Sequence, residues 1–355
     1  MPVVEMIKLL EKMVQAGGAD LFIASGAPLS MNVEGKIHPV TSEPLSPEDT
    51  KQTIRQILTE EQWNLFQKDR ELNVAYSLSK LARFRVNVYF QRGTVASVIR
   101  QIRVKIPTFE QLDLPPFLGE VILSLRGLIL VTGATGTGKS TTMAAMVDHR
   151  ASQMDGHIVT IEDPIEYVFQ HKRSLVTQRE VGVDTFSFRE ALKNTLRQAP
   201  NVIYVGELRD AETVEFALHS AETGHLVLST LHSTNASQTI ERVLNFFSRE
   251  YHDQVQIQLS YNLKAIISQR LVPSESGRRV PVLEILINTA FVQEIIRKGE
   301  IGKLKKVMEG GKQEGMQTFD LHLKELVEKG TLSEEKALLY ADSPSDLRLK
   351  LRGFV

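Results

Sequence analysis

Apolar positions near the start of the chain recur at helical spacing. Val3, Ile7, Leu10 and Val14 predict one face of a short amphipathic helix, ended by Gly17-Gly18. Asp20–Ala24 and Leu29–Val33 then read as short strands, and Glu34-Gly35-Lys36 as a hairpin turn into a third. Ser46-Pro47-Glu48-Asp49 opens a helix, with serine as N-cap, proline in the first turn and acids against the positive end of the dipole. A further helical stretch, Glu60 to Lys68, carries Trp63 as a packing residue. Strict alternation follows: Phe84, Val86, Val88 and Phe90 against Arg83, Arg85, Asn87, Tyr89 and Gln91, the pattern of a half-buried strand. Gln91-Arg92-Gly93-Thr94 turns it into a second strand, Val95 to Val104. Residues 1–104 are thus expected to form a mixed α/β sandwich.

The pattern changes after two proline clusters, Pro107 and Pro115-Pro116, which mark residues 105–118 as a linker. Short continuous apolar runs now alternate with helices: Gly127–Thr132, His157–Ile161, Val202–Gly206 and His225–Thr230. Such runs predict a parallel sheet covered on both faces, over residues 119–289. Residues 290–355 read as helical, broken by glycines.

Composition narrows the classes. The chain has 355 residues, 42% hydrophobic and 24% charged, which suits two domains with cores of their own. A formal net charge of −1 gives no overall reason to expect nucleic acid or an anionic membrane as partner. The absence of cysteine excludes disulfides and thiolate catalysis, and fits a cytoplasmic protein. Charged residues interrupt the first apolar stretch, so it does not read as a signal peptide, and no apolar run approaches the ~18 residues that span a bilayer.

The chemistry is concentrated after the first buried strand. Gly133-Ala134-Thr135-Gly136-Thr137-Gly138-Lys139-Ser140, followed by Thr141 in a helix, fits a loop that wraps phosphate oxygens with backbone N–H groups. In that arrangement Lys139 neutralises β/γ charge and the Ser140 hydroxyl ligates Mg2+, so the expected ligand is Mg·ATP. Glu162, in Thr160-Ile161-Glu162-Asp163-Pro164-Ile165-Glu166, stands at a strand end where open α/β sheets bind ligands. Val202–Val205 is a second apolar strand followed by an acid, but Gly206 occupies the position where many phosphate-loop proteins place aspartate. Glu207 is then the carboxylate for the metal's water shell or for water activation; the sequence does not divide these roles between Glu162 and Glu207. His232, with Thr230, stands where a γ-phosphate sensor belongs. Arg83, Arg85, Arg92, Arg100, Arg103 and Lys105 form a basic run without an acid. The turn residue Arg92 reads as solvated. The others suit fingers reaching ATP across a seam better than a nucleic-acid groove, because Phe84 and Phe90 fall on the buried face.

Together these blocks resemble the secretion/pilus superfamily of hexameric ATPases, and within it the type IV pilus retraction (twitching motility) ATPases of the PilT/PilU family. The resemblance is carried by GATGTGKSTT, TIEDPIEY, VTQREVGVDT, VIYVGELRD, TGHLVLSTLHS, GMQTFD and the ARFRVN strand, and so covers essentially the whole chain. ALKNTLRQAP and ADSPSDLRLKLR are similar to the PilU branch. The resemblance implies a PAS-like N-terminal α/β domain, a RecA-like P-loop NTPase domain with a C-terminal helical region, and a homohexamer with ATP between subunits. It places the family's arginines on Arg83 and Arg85 and on Arg100 and Arg103, its acids on Glu162, Asp163, Glu166 and Glu207, and its histidines on His225 and His232. An inner-membrane platform protein and a partner retraction ATPase are the implied partners, at the cytoplasmic face of the membrane. Two departures matter. The four-cysteine zinc site of extension ATPases is missing, and the AIRNLIRE-type helix of autonomous retraction motors appears only as Phe291–Gly299, without its asparagine, which suits an accessory motor.

Overall fold

The computed structural model describes residues 5–33, 35–78, 81–102 and 105–353. Arg103, Val3 and Glu34 lie outside them. Contacts divide the chain into one unit of Met1–Lys105 with Ile165–Val168 and another of Ile106–Pro164 with Phe169–Val355.

The first unit runs α1 (Met6–Gln15), β1 (Gly18–Ile23), β2 (Ser30–Val33), β3 (Lys36–Pro39), α2 (Pro47–Arg55), α3 (Glu60–Asp69), β4 (Glu71–Leu78), β5 (Ala82–Gln91) and β6 (Thr94–Ile102). Its six strands form an antiparallel sheet in the order β3-β2-β1-β6-β5-β4. The Ser46 hydroxyl accepts from Asp49 N while the Asp49 carboxylate accepts from Ser46 N, so α2 starts on a closed capping box. Phe84, Val86 and Val88 are buried and their alternates face outward, as the period of two requires. In α1 the buried face is Met6, Leu9, Leu10 and Met13, and Ile7 is 49% exposed. The expected stripe was rotated by about one residue, because apolar side chains flank both candidate faces and the sheet selects one.

The second unit continues with α4 (Phe117–Ile122), β7 (Gly127–Thr132), α5 (Lys139–Gln153), β8 (Gly156–Glu162), β9 (Ser174–Glu180), α6 (Phe188–Thr195), β10 (Val202–Val205), α7 (Ala211–Glu222), β11 (Leu226–Leu231), α8 (Ala236–Asn245) and α9 (His252–Asn262). It closes with β12 (Leu263–Pro273), β13 (Arg279–Ile287), α10 (Ala290–Arg297), α11 (Leu304–Gly310), α12 (Phe319–Glu328), α13 (Glu334–Tyr340) and α14 (Pro344–Leu351). The sheet order is β13-β12-β7-β11-β10-β8-β9. Neighbours are parallel except the β12–β13 pair, which is an antiparallel hairpin added at one edge. Strands β7, β10 and β11 are buried at every position, as a sheet covered on both faces demands. Helices α7 to α11 pack one apolar cluster against this sheet, and α12 to α14 pack another against β12 and β13. Among the described residues, no helix is long and apolar enough to cross a membrane.

A buried histidine ties the second cluster to the sheet. His322 of α12 accepts the Leu283 amide of β13 through Nδ1 at 2.9 Å, and burial pulls its pKa down to about 4. A base whose folded pKa lies below its unfolded value of ~6.5 contributes stability above that pH and loses it as pH falls toward 4. The shift corresponds to about 3 kcal/mol. His322→Gln, which keeps an acceptor but does not titrate, is expected to flatten this part of the stability profile. Urea midpoints measured at pH 7 and pH 4.5 should fall less in the variant than in the unsubstituted protein; equal falls would refute the assignment.

Candidate nucleotide site

The site forms where β7 runs into α5. Thr132 ends β7 and the loop to Lys139 folds back through glycines at positive φ. At Gly133 (φ 149°) an added Cβ would stand 2.5 Å from the Gln269 carbonyl and 2.6 Å from Thr137 Oγ1, and at Gly138 (φ 88°) 2.9 Å from Gln269 Nε2. Only glycine lets the loop come this close to β12. Gln269 stitches that contact: its Nε2 donates to the Thr137 carbonyl at 2.8 Å and its Oε1 accepts from Thr142 Oγ1 at 2.7 Å. Gly138 leaves α5 without a side-chain cap, so the first amides of the helix point toward the loop's concave side.

Lys139 is nearly buried and donates from Nζ to the carbonyls of Gly133 (2.9 Å) and Ala134 (3.0 Å). Its Nζ also stands 3.4 Å from His232 Nδ1. His232 follows β11, and its Nε2 lies 3.3 Å from Glu207 Oε1. Glu207 Oε2 accepts from Arg209 Nε at 3.1 Å, and Arg209 reaches Asp163 Oδ2 at 3.0 Å. Partial burial pulls on the Arg209 guanidinium, and its bonds to Asp163 and Glu207 outweigh that, holding its pKa above the usual arginine value. Thus a continuous polar chain, Lys139–His232–Glu207–Arg209–Asp163, spans the ends of β7, β11, β10 and β8. Parallel strands place all four ends on one edge of the sheet.

Glu162 stands at the end of β8 in different surroundings. It is 5% exposed, and its Oε1 accepts from Thr160 Oγ1 at 2.6 Å and Gln178 Nε2 at 3.0 Å. Thr230, the expected companion of His232, donates to the Gly206 carbonyl at 2.6 Å and so fixes β11 against β10. Ser140 is half-buried, and its hydroxyl makes no hydrogen bond among the described residues. Ala134, Thr135 and Gly136 are exposed, while Thr137 and Thr141 are half-buried.

Some expected residues are not brought here. His225 precedes β11, at the opposite end of that strand from His232, roughly 20 Å away at the usual rise per residue. Its Nδ1 lies 3.0 Å from the Ser220 carbonyl, a structural contact at the end of α7. Of the two histidines, only His232 stands at the strand end that carries the phosphate loop. Glu166 is exposed, without a hydrogen bond or ion pair among the described residues, and belongs to the segment that groups with the first unit. Within that unit, Arg85, Arg100, Asp20 and Asn32 lie in register across β5, β6, β1 and β2. Arg100 Nε donates to the buried Asp20 at 2.7 Å, and Asn32 donates to the same carboxylate. Arg85 has no such partner among the described residues, and Arg83, half-buried, stands two residues away on the same face. Sequence reasoning missed Gln269 and gave Arg209 no role. Arg209 was detectable two residues after Glu207, whereas Gln269 carries no local signal.

A loop of glycine amides before a helix, a buried lysine and strand-end carboxylates on a mainly parallel sheet define a P-loop ATPase. The family model for type II/IV secretion system proteins matches residues 8–335, and the chain belongs to that family. It is 50% identical to the type IV pilus ATPase PilU of Pseudomonas aeruginosa, over 98% of this chain and 91% of that protein. It is 40% identical to the retraction ATPase PilT of the same organism, over 96% of this chain and 99% of that one. The crystal structure of the pilus retraction motor PilT with bound ADP matches over 97% of this chain and 99% of its own, with a TM-score of 0.91 and 40% identity. The expected α/β fold, an N-terminal domain followed by an ATPase domain with two separate sheets, matches the fold of this relative.

Proposed function

We propose that this protein is a motor ATPase of type IV pilus retraction, working as a homohexamer alongside a partner retraction ATPase. It would act from the cytoplasmic side of the inner membrane on a platform protein there. The reading is carried by the near-full-length similarity to PilU, which exceeds that to PilT, and is supported by the polar chain that runs from Lys139 of the phosphate loop through His232 and Glu207. The altered helix supports an accessory role. In α10, Arg297 and Glu294 pair with each other, Ile295 and Ile296 are buried, and Phe291 is 62% exposed.

In this reading the loop amides of residues 133–141 bind the ATP phosphates, and Lys139 exchanges its carbonyl contacts for β/γ oxygens. The free Ser140 hydroxyl fits a magnesium ligand. Glu207 and Glu162 would hold the ion's water shell, with Asp163 behind them on Arg209. Bound Mg2+ supplies charge neutralisation at the phosphate oxygens. His232, standing between Lys139 and Glu207, registers the γ-phosphate from one side and the carboxylate from the other. Arginines of the first unit complete the site from a neighbouring subunit. Arg85 suits this better than Arg100, which Asp20 holds, while Arg83 and Arg103 stay sequence-based candidates.

With a non-hydrolysable Mg·ATP analogue, light scattering is expected to show a hexamer; a persistent monomer would sink the ring. Deleting the gene is expected to leave piliated cells that twitch poorly. Bald cells would point instead to an assembly motor.

A further inference from the structure

A second set of polar side chains lies beneath the nucleotide site, sealed from solvent. Thr132, Ser268 and Glu284 face one another in register across β7, β12 and β13, and none is more than 2% exposed. The Thr132 hydroxyl donates to Ser268 at 3.0 Å, and Thr239 of α8 reaches Thr132 at 3.4 Å. Thr239 also bonds Ser233, the residue after His232, at 2.7 Å. At the end of the row, Glu284 Oε1 accepts the backbone amide of Ala236 at 2.7 Å. Ala236 is the first residue of α8, and Asn235 caps the same turn through the Gln238 amide. Only three residues thus separate His232 from a backbone amide gripped by a buried carboxylate of β13.

A carboxylate buried this deeply is costly unless hydrogen bonds, paired charge or protonation offset its lost hydration. Burial pushes the Glu284 carboxyl up to about 7, against the Ala236 amide that favours the charged form. Asp342 raises it further, while Arg270 and Lys305 oppose that shift. Arg270 and Lys305 are themselves shared with Asp342, and Lys305 also with Asp320 of α12. Near neutral pH, then, the group is a hydrogen-bond acceptor at fixed reach more than a fixed charge.

We propose that Glu284 is a positioning residue for ATP hydrolysis, clamping the start of α8 so that His232 is held between Lys139 and Glu207. The clamp ties the sensor turn to the β12–β13 hairpin, whose Gln269 holds the phosphate loop from the other side. Loop and sensor are therefore referenced to one rigid element. The inference rests on the reading of His232 given above.

The test separates reach from charge in the full-length protein. Glu284→Gln keeps an acceptor at the same distance; Glu284→Asp keeps the carboxylate but withdraws it by one methylene, about 1.5 Å, beyond hydrogen-bond range. Steady-state ATPase assays with MgATP are made below the melting transition of every variant, each substitution alone and combined with His232→Ala. The Gln variant is expected to keep kcat within about twofold. The Asp variant is expected to lose kcat roughly tenfold with KM changed less than about threefold. In the His232→Ala background the Asp substitution should cost less than about twofold. Hydrogen exchange of the segment 233–240 should rise in the Asp variant alone. The clamp is overturned if Gln is as impaired as Asp, or if Asp costs the same with and without His232. Should His232→Ala alone leave turnover unchanged, the sensor reading itself fails, whatever the Glu284 variants do.

Discussion

Lys139→Ala is expected to abolish measurable ATP turnover, lowering kcat by about a thousandfold or more, ~4 kcal/mol of transition-state stabilisation. The side chain is 8% exposed and its ammonium is aimed by the carbonyls of Gly133 and Ala134, so its charge is preorganised where water screens it little. No other cation bonds those carbonyls among the described residues. Alanine takes the ammonium from the Gly133 and Ala134 carbonyls, of which Ala134 keeps the Thr137 hydroxyl at 2.8 Å, and removes the proton-bearing group facing His232. Lys139→Arg is expected to fail as well, because a planar fork does not fit a compact pocket shaped by backbone oxygens. Phosphate release under saturating MgATP checks this, with unfolding curves to show that the variant is folded. Turnover within tenfold of the parent would remove Lys139 from the chemistry.

What the sequence disclosed about this site follows from how local each feature is. The phosphate loop was legible because a buried strand, spaced glycines and a helix start fall within a dozen consecutive residues, each with its own signal. Glu207 and Glu162 were legible as acids ending apolar runs, yet their surroundings were not. Thr160 lies beside Glu162 in sequence, but Gln178 reaches it from β9, a polar edge strand whose pattern does not announce itself. The β12–β13 hairpin also escaped notice. Leu263–Pro273 and Arg279–Ile287 are apolar runs that periodicity alone does not assign to strand or helix, and the pairing of β12 with β7 spans more than a hundred residues. Gln269 and Glu284 were lost with it. In the first unit the alternation of β5 showed that Arg83 and Arg85 face outward, but nothing local showed that Asp20, eighty residues earlier, binds Arg100 of β6.

These differences bear on how the two halves of the nucleotide site communicate. Thr230 locks β11 to β10 at Gly206, Gln269 locks the phosphate loop to β12, and Thr132 locks β7 to Ser268. The strands beneath the site are thus cross-linked by buried hydroxyls and amides, which pack rigidly. The side chains at the strand ends are the more exposed ones: His232 at 42% and Glu207 at 27%. Rearrangement on hydrolysis is therefore expected in the polar chain rather than in the floor beneath it, the condition for a small change at phosphate to be transmitted rather than absorbed.

Glu207→Gln tests the centre of that chain, and is expected to lower kcat at least about a hundredfold while nucleotide affinity stays within about threefold. Gln has the shape of Glu but no charge, so it cannot serve both His232 and Arg209 as a carboxylate does. Nucleotide affinity rests mainly on the loop amides and Lys139, which the substitution leaves intact. The loss should therefore appear in the hydrolytic step, a ~3 kcal/mol effect on the transition state with little on the ground state. Titration with a fluorescent nucleotide gives the affinity, and single-turnover hydrolysis gives the chemical step. Hydrolysis within fivefold of the parent would pass the role to Glu162, whose Oε1 already receives Thr160 and Gln178. Equal losses of affinity and rate would make Glu207 a ground-state ligand of the metal-bound nucleotide, and would leave His232 as the group that distinguishes ATP from ADP.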